Sequence, residues 1–188
     1  MRRLAVMLGL SLAALAGPLA GTTHAQPPQT QGPQINVVIG PALQAKAKDF
    51  GPQELDTLRD DLRQEMIHAF AHANSAPARV DLVIEDAAPN RPTFAQLGRT
   101  IGLSMHSVGV GGARVSGMVT GQDGSSRPLR YQFYETDLRE ERGSTTWSDA
   151  DRSFMMLAND LRHGQVSDRY TGPGPSNNGG HFGYPFND

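Results

Sequence analysis

The sequence predicts an α+β fold: a two-layer sandwich in the order β-α-β-β-β-α, with one mostly antiparallel sheet carrying two helices on one face. Three observations predict it. Residues 113–120 and 129–134 alternate apolar with polar side chains on either side of a polar loop, Gly121 to Pro128, which is a β-hairpin pattern. Leu55, Leu58, Leu62, Met66, Ala69, Phe70 and Ala73 share one face at the helical period, as do Phe154, Leu157, Ala158 and Leu161. A hairpin with one apolar face needs a cover, and two amphipathic helices supply it.

The chain begins with a basic start (Arg2-Arg3), an apolar run from Leu4 to Gly17, and small residues at Thr23 and Ala25. This is the pattern of a secretory signal peptide over residues 1–25, cleaved after Ala25. Its apolar core is too short to span a bilayer comfortably, and nothing later is apolar enough to try. Removing 25 of the 188 residues leaves 163, enough for one domain. The expected location is periplasmic or secreted.

There is no cysteine. Disulfides, thiolate metal sites and a lipid anchor on a cysteine after the signal are therefore excluded. Loss of Arg2 and Arg3 takes the net charge from −2 to −4, and no basic stripe offers a nucleic-acid surface.

Residues 26–34 are a Pro/Gln-rich linker, and the α+β domain is expected over 35–164. Ile35 to Ile39 reads as a short strand stopped by Gly40-Pro41. Gly51 and Pro52 open the long helix, Phe50 and Leu55 stand as a hydrophobic staple, and the helix is expected to end near Asn74. Val80 to Ala87 is the next strand. Strand, helix and strand make a crossover unit if both strands lie in one sheet. Residues 93–107 read as a loop with one helical turn at Phe94 to Leu97. Ser148, with Asp151 three residues on, is expected to cap the second helix, and Gly164 to end it. Trp147, just before it, reads as a core plug. Residues 165–188, rich in Gly, Pro and Asn, are expected to form no packed structure.

The candidate functional residues fall into four groups. Asp61, Glu65, His68 and His72 make a polar stripe on the long helix. Two histidines one turn apart beside carboxylates are a metal-ligand arrangement, but a solvated helix face is the plainer reading, and no metal or other cofactor is assigned. Ser104, Ser107, Ser116 and His106 bring nucleophile and base types together. Ser104 and His106 would share a face of a strand, yet no third member or nucleophile elbow accompanies them, and no catalytic residue is assigned. Asn90, Arg91 and Arg114 have the chemistry to bind a carboxylate or a sugar, against the alternative that Asn90 and Arg91 hold the Pro-flanked turn. Phe182, Tyr184 and Phe186 alternate near the end of the tail and are candidate anchors for an envelope protein partner.

Two further patterns are read as structural. Gly109, Gly111 and Gly112 lack the order of a phosphate loop and suit the start of a strand or a bulge. Glu85 and Asp86, adjacent on a strand, should point to opposite faces and so form no acid/base pair.

Ile35 to Gly40, Val80 to Asp86, Pro89 to Thr93, the glycine-rich strand and Tyr131 to Arg139 together resemble exported proteobacterial proteins of unknown function. The resemblance covers about Ile35 to Gly164. It implies an envelope location and a small α+β domain, and its motifs carry no catalytic chemistry. The resulting expectation is a non-catalytic periplasmic binding or envelope-assembly protein. The competing class is a metal-binding protein or hydrolase using the helix stripe or the Ser104/His106 region.

Overall fold

A computed structural model describes residues 32–141 and 145–175. The strands are β1 (Gln34–Ile39), β2 (Arg79–Ala88), β3 (Gly112–Thr120) and β4 (Ser126–Tyr134), and they stand in that order in one sheet. β1 and β2 are parallel; the other pairs are antiparallel. Three short or long helices connect β1 to β2: α1 (Pro41–Ala45), α2 (Ala47–Phe50) and α3 (Pro52–Ala71). α4 (Phe94–Leu97) lies between β2 and β3, and α5 (Ser148–Arg162) follows β4 after a 3-10 turn. The expected fold is the observed one: an α+β architecture with α3 and α5 packed on one face of a mixed, mostly antiparallel sheet.

The core forms where the two periodicities meet. Leu55, Leu58, Leu62, Met66 and Phe70 of α3 are buried, as are Phe154, Leu157 and Leu161 of α5. They close on Val80, Leu82, Ile84, Val115, Val119, Leu129 and Tyr131 of the sheet. Full burial of one such side chain contributes about 1.5–3 kcal/mol. Trp147 seals the upper edge: its ring meets Phe50 edge-on at 5.5 Å, and its Nε1 donates to Glu54 Oε2 at 2.7 Å.

Four local expectations change. Phe133 packs only partly against the core, with the Arg152 guanidinium 5.2 Å above its ring; Tyr131 and Leu129 take the fully buried positions. α5 starts one residue earlier than expected, with Trp147 at the N-cap and Ser148 already inside the helix, where Ser148 Oγ turns back to accept from Thr145 N at 2.7 Å. α3 ends at Ala71 rather than near Asn74. Finally, residues 165–175 pack where composition argued for no structure. Arg130 N donates to Ser167 O and Tyr134 N to Pro173 O, so this strap covers the free edge of β4. Residues 1–25, expected to be a signal peptide, and Phe182, Tyr184 and Phe186 lie outside the described residues.

Candidate functional site

The loop from Pro89 to Gly111 leaves the sheet at the end of β2 and returns at the start of β3. Its two ends are locked by a buried polar centre. Asn90, with no solvent exposure, donates from Nδ2 to Asp149 Oδ2 at 2.6 Å and accepts at Oδ1 from Asp149 N at 2.9 Å. Gly111 N donates to the same Asp149 oxygen at 2.9 Å. Asn90 N donates to Thr146 O, and Gly109 N donates to Asn90 O. A Cβ at position 111 would stand 2.5 Å from Asn90 Oδ1 and 2.8 Å from Ala88 O, so glycine is required by close approach. Asn90 is thus the hinge pin of three segments.

The loop itself is braced. Thr93 caps α4 in a reciprocal box: Gln96 N donates to Thr93 Oγ1 at 3.3 Å, and Thr93 N donates to Gln96 Oε1 at 3.0 Å. Arg99 donates to Lys48 O and lies 3.9 Å from Asp49. Arg91 Nη1 donates to His106 O at 3.2 Å. Ser104 N donates to Ser107 Oγ at 3.1 Å, and His106 N donates to Ser104 Oγ at 3.2 Å. Ser104 and His106 therefore sit in a turn, not on a strand, and the Oγ atoms of Ser104 and Ser107 each accept from a backbone N–H of that turn.

Despite this bracing the loop holds large apolar side chains in solvent. Phe94 is 80 % exposed, Met105 53 % and Ile101 103 %. Isolated apolar residues on a surface are ordinary; this ordered loop carries three.

The sheet face away from the helices carries a second cluster. The β2–β3 register steps from Ile84↔Val115 to Asp86↔Arg114, leaving Glu85 as the extra residue of a bulge. The expectation that Glu85 and Asp86 point to opposite faces fails here, because the bulge breaks strict alternation. Asp86 accepts from Lys46 Nζ at 2.6 Å and from the Tyr134 hydroxyl at 2.9 Å. Glu85 accepts from the hydroxyl of Tyr170, on the strap. The Tyr170 ring lies under two guanidiniums, 5.0 Å from Arg114 and 5.5 Å from Arg130. Burial pushes the Glu85 carboxyl up, but the Ser116 and Tyr170 hydroxyls and both arginines outweigh it and hold it below the usual range. Burial, then the Asp86 carboxylate, drives the Tyr134 phenol well above its ordinary value. Arg114 also donates to Gln132 Oε1 at 3.2 Å. These groups satisfy one another and fasten the strap to the sheet.

The helix stripe is divided. His68 and His72 are exposed, whereas Asp61 and Glu65 are half-buried and line a small cleft with Gln64 and Asp151 of α5. Burial, then the Asp61 and Glu65 carboxylates, pushes the Asp151 carboxyl up to about 6, and its buried Oδ1 accepts no hydrogen bond. Asp61 is raised by burial first, then by Asp60 and Glu65. His72 lies at the far end of α3, in a cleft of about 760 Å³ that also takes in Arg127, Arg162 and His163. His163 Nδ1 sits 2.8 Å from Asn159 O, and the Arg162 guanidinium stands in the last turn of α5, where its charge suits the carbonyl end of the helix. Among the described residues no group of three or more His, Asp or Glu stands in metal-holding geometry, and no helix is long and apolar enough to cross a membrane.

Of the residues singled out in the sequence, the structure brings Asn90, Arg91 and His106 to one loop and Arg114 to the outer sheet face. Phe94, Ile101, Met105, Asp149 and Tyr170 were not singled out. Thr93-x-x-Gln96 was a readable sign that the loop is ordered. Comparison of the chain with protein-family models, with curated proteins and with solved structures finds no match.

Proposed function

We propose that this is an exported, non-catalytic binding protein of the cell envelope, working through the loop of residues 94–106. One observation carries the reading: an ordered, internally braced loop keeps Phe94, Ile101 and Met105 in solvent. Folding gains nothing from that exposure, so a contact outside the chain is the use the geometry supports. The polar groups of this region serve the loop's own structure. Ser104 and Ser107 accept from backbone, and Asn90 and Asp149 hold the loop's base. The basic start, apolar run and Thr23-His24-Ala25 site support export with cleavage after Ala25.

A photo-crosslinking residue at position 101, expressed in the native cell, tests this. The expected result is an adduct with an envelope component, absent when the probe is moved to exposed Met155 on α5. Equal labelling at both positions, or none at position 101, sinks the reading. N-terminal sequencing of the exported protein is expected to begin at Gln26.

A further inference from the structure

We propose that the loop of residues 94–106 docks the protein on a bilayer surface carrying anionic phospholipid. Phe94, Ile101 and Met105 enter the interface, and Lys48 and Arg99 meet the headgroups. The inference rests on the loop being the contact surface and names its partner.

Shape is the first argument. Ile101, at 103 % exposure, is shielded by nothing on its own protein, and Phe94 is 80 % exposed. Such side chains stand out from the surface. A protein partner of ordinary interface size needs a shaped patch with a buried centre. A bilayer interface needs only apolar tips that reach the acyl boundary. Phenylalanine is among the residues that favour that boundary, and isoleucine and methionine add apolar area at its depth.

Charge is the second. No Asp or Glu occurs between Asp86 and Asp123, while Arg91 stands at the loop's entry and Arg99 within it. Lys48, exposed on α2, comes to the same loop because Arg99 donates to its carbonyl. Asp49, 3.9 Å from Arg99, offsets one of these charges, and the loop remains cationic. Basic side chains on the same loop as apolar tips are drawn to an anionic leaflet, an attraction that salt weakens.

Rigidity is the third. The capping box at Thr93, the Arg91 and Arg99 bonds and the Ser104–Ser107 turn fix the tips before contact. Ordering entropy is thus largely settled on folding, and little is lost on docking.

The test is co-sedimentation of the processed, exported chain with vesicles of phosphatidylcholine and phosphatidylglycerol, against phosphatidylcholine alone. The expected result is binding to the anionic vesicles that falls as salt is added. A Phe94→Ser, Ile101→Ser double variant, with an unchanged circular dichroism spectrum, is expected to lose about a hundredfold in partitioning, roughly tenfold for each apolar side chain withdrawn. Met155→Ser is expected to bind like the parent. Absence of vesicle binding, or a double variant that binds as well as the parent, overturns the proposal. If vesicle binding is absent but the position-101 probe joins a protein, the lipid assignment falls and the loop remains the contact surface. If neither occurs, both fall.

Discussion

Asn90 and Asp149, separated by 59 positions in sequence, exchange two hydrogen bonds in the buried centre beneath the loop: Asn90 Nδ2 to Asp149 Oδ2 at 2.6 Å, and Asp149 N to Asn90 Oδ1 at 2.9 Å. Asn90→Ala leaves a buried carboxylate and a backbone N–H short of partners. Its expected cost is about 3 kcal/mol or more by urea denaturation. Asp149→Asn keeps the shape and one acceptor and is expected to cost less, about 1–2 kcal/mol. Equal, near-zero costs would remove the lock from the account of the loop.

Asp151 makes stability depend on pH in a direction that can be stated beforehand. Its folded pKa of about 6 lies above the ordinary aspartate value of 3.8. The folded state therefore binds the proton more tightly than the unfolded chain, so stability falls as pH rises from about 4 to about 6 and stays reduced above that. Asp151→Asn is expected to raise stability near neutral pH by on the order of 1–2 kcal/mol, after allowance for solvent screening of a half-exposed group. Near pH 4 it is expected to change little. Denaturation of parent and variant across that range reads the difference.

Tyr170 fastens the strap. Tyr170→Phe removes the bond to Glu85 and keeps both stacked guanidiniums; the expected cost is about 1 kcal/mol. Tyr170→Ala also removes the ring, and the amides of Arg130 and Tyr134, which bond the strap, are expected to exchange faster with solvent. Unchanged exchange at those amides in the alanine variant would show that backbone bonding alone holds the strap.

Leu62 and Phe133 separate full from partial burial. Leu62 has no exposed surface, and Leu62→Ala is expected to cost about 2–5 kcal/mol. Phe133 is only partly covered, so Phe133→Ala should fall below the roughly 3–5 kcal/mol of a fully buried phenylalanine. The reverse order would mean that α5 covers β4 more tightly than its packing indicates.

The core was legible because burial imprints a period: the α3 stripe and the alternation in β3 and β4 each follow from which side chains must leave water. The site was much less so. The bulge at Glu85 depends on the register of two strands, which no local pattern encodes. Asp149 reads as an ordinary helix-start acid until the fold brings Asn90 to it. The strap from 165 to 175 is poor in apolar residues, and its order comes from β4 backbone and one tyrosine, neither visible in composition. His68 and His72 show the converse: spacing gathered them with Asp61 and Glu65, while the turn of α3 against α5 buried the acids and left the histidines outside.

β1 runs parallel to β2, and this sets where each end of the folded chain emerges. Gln34 lies beside Arg79, at the start of β2, while the loop departs from Ala88 at its other end. The ten residues of β2 put about 30 Å between these poles. Pro173, bonded to Tyr134, brings the strap to the loop's pole. A tether attached ahead of Gln34 therefore holds the protein from the pole opposite Ile101 and leaves that tip facing outward. A tether attached beyond Pro175 crowds it.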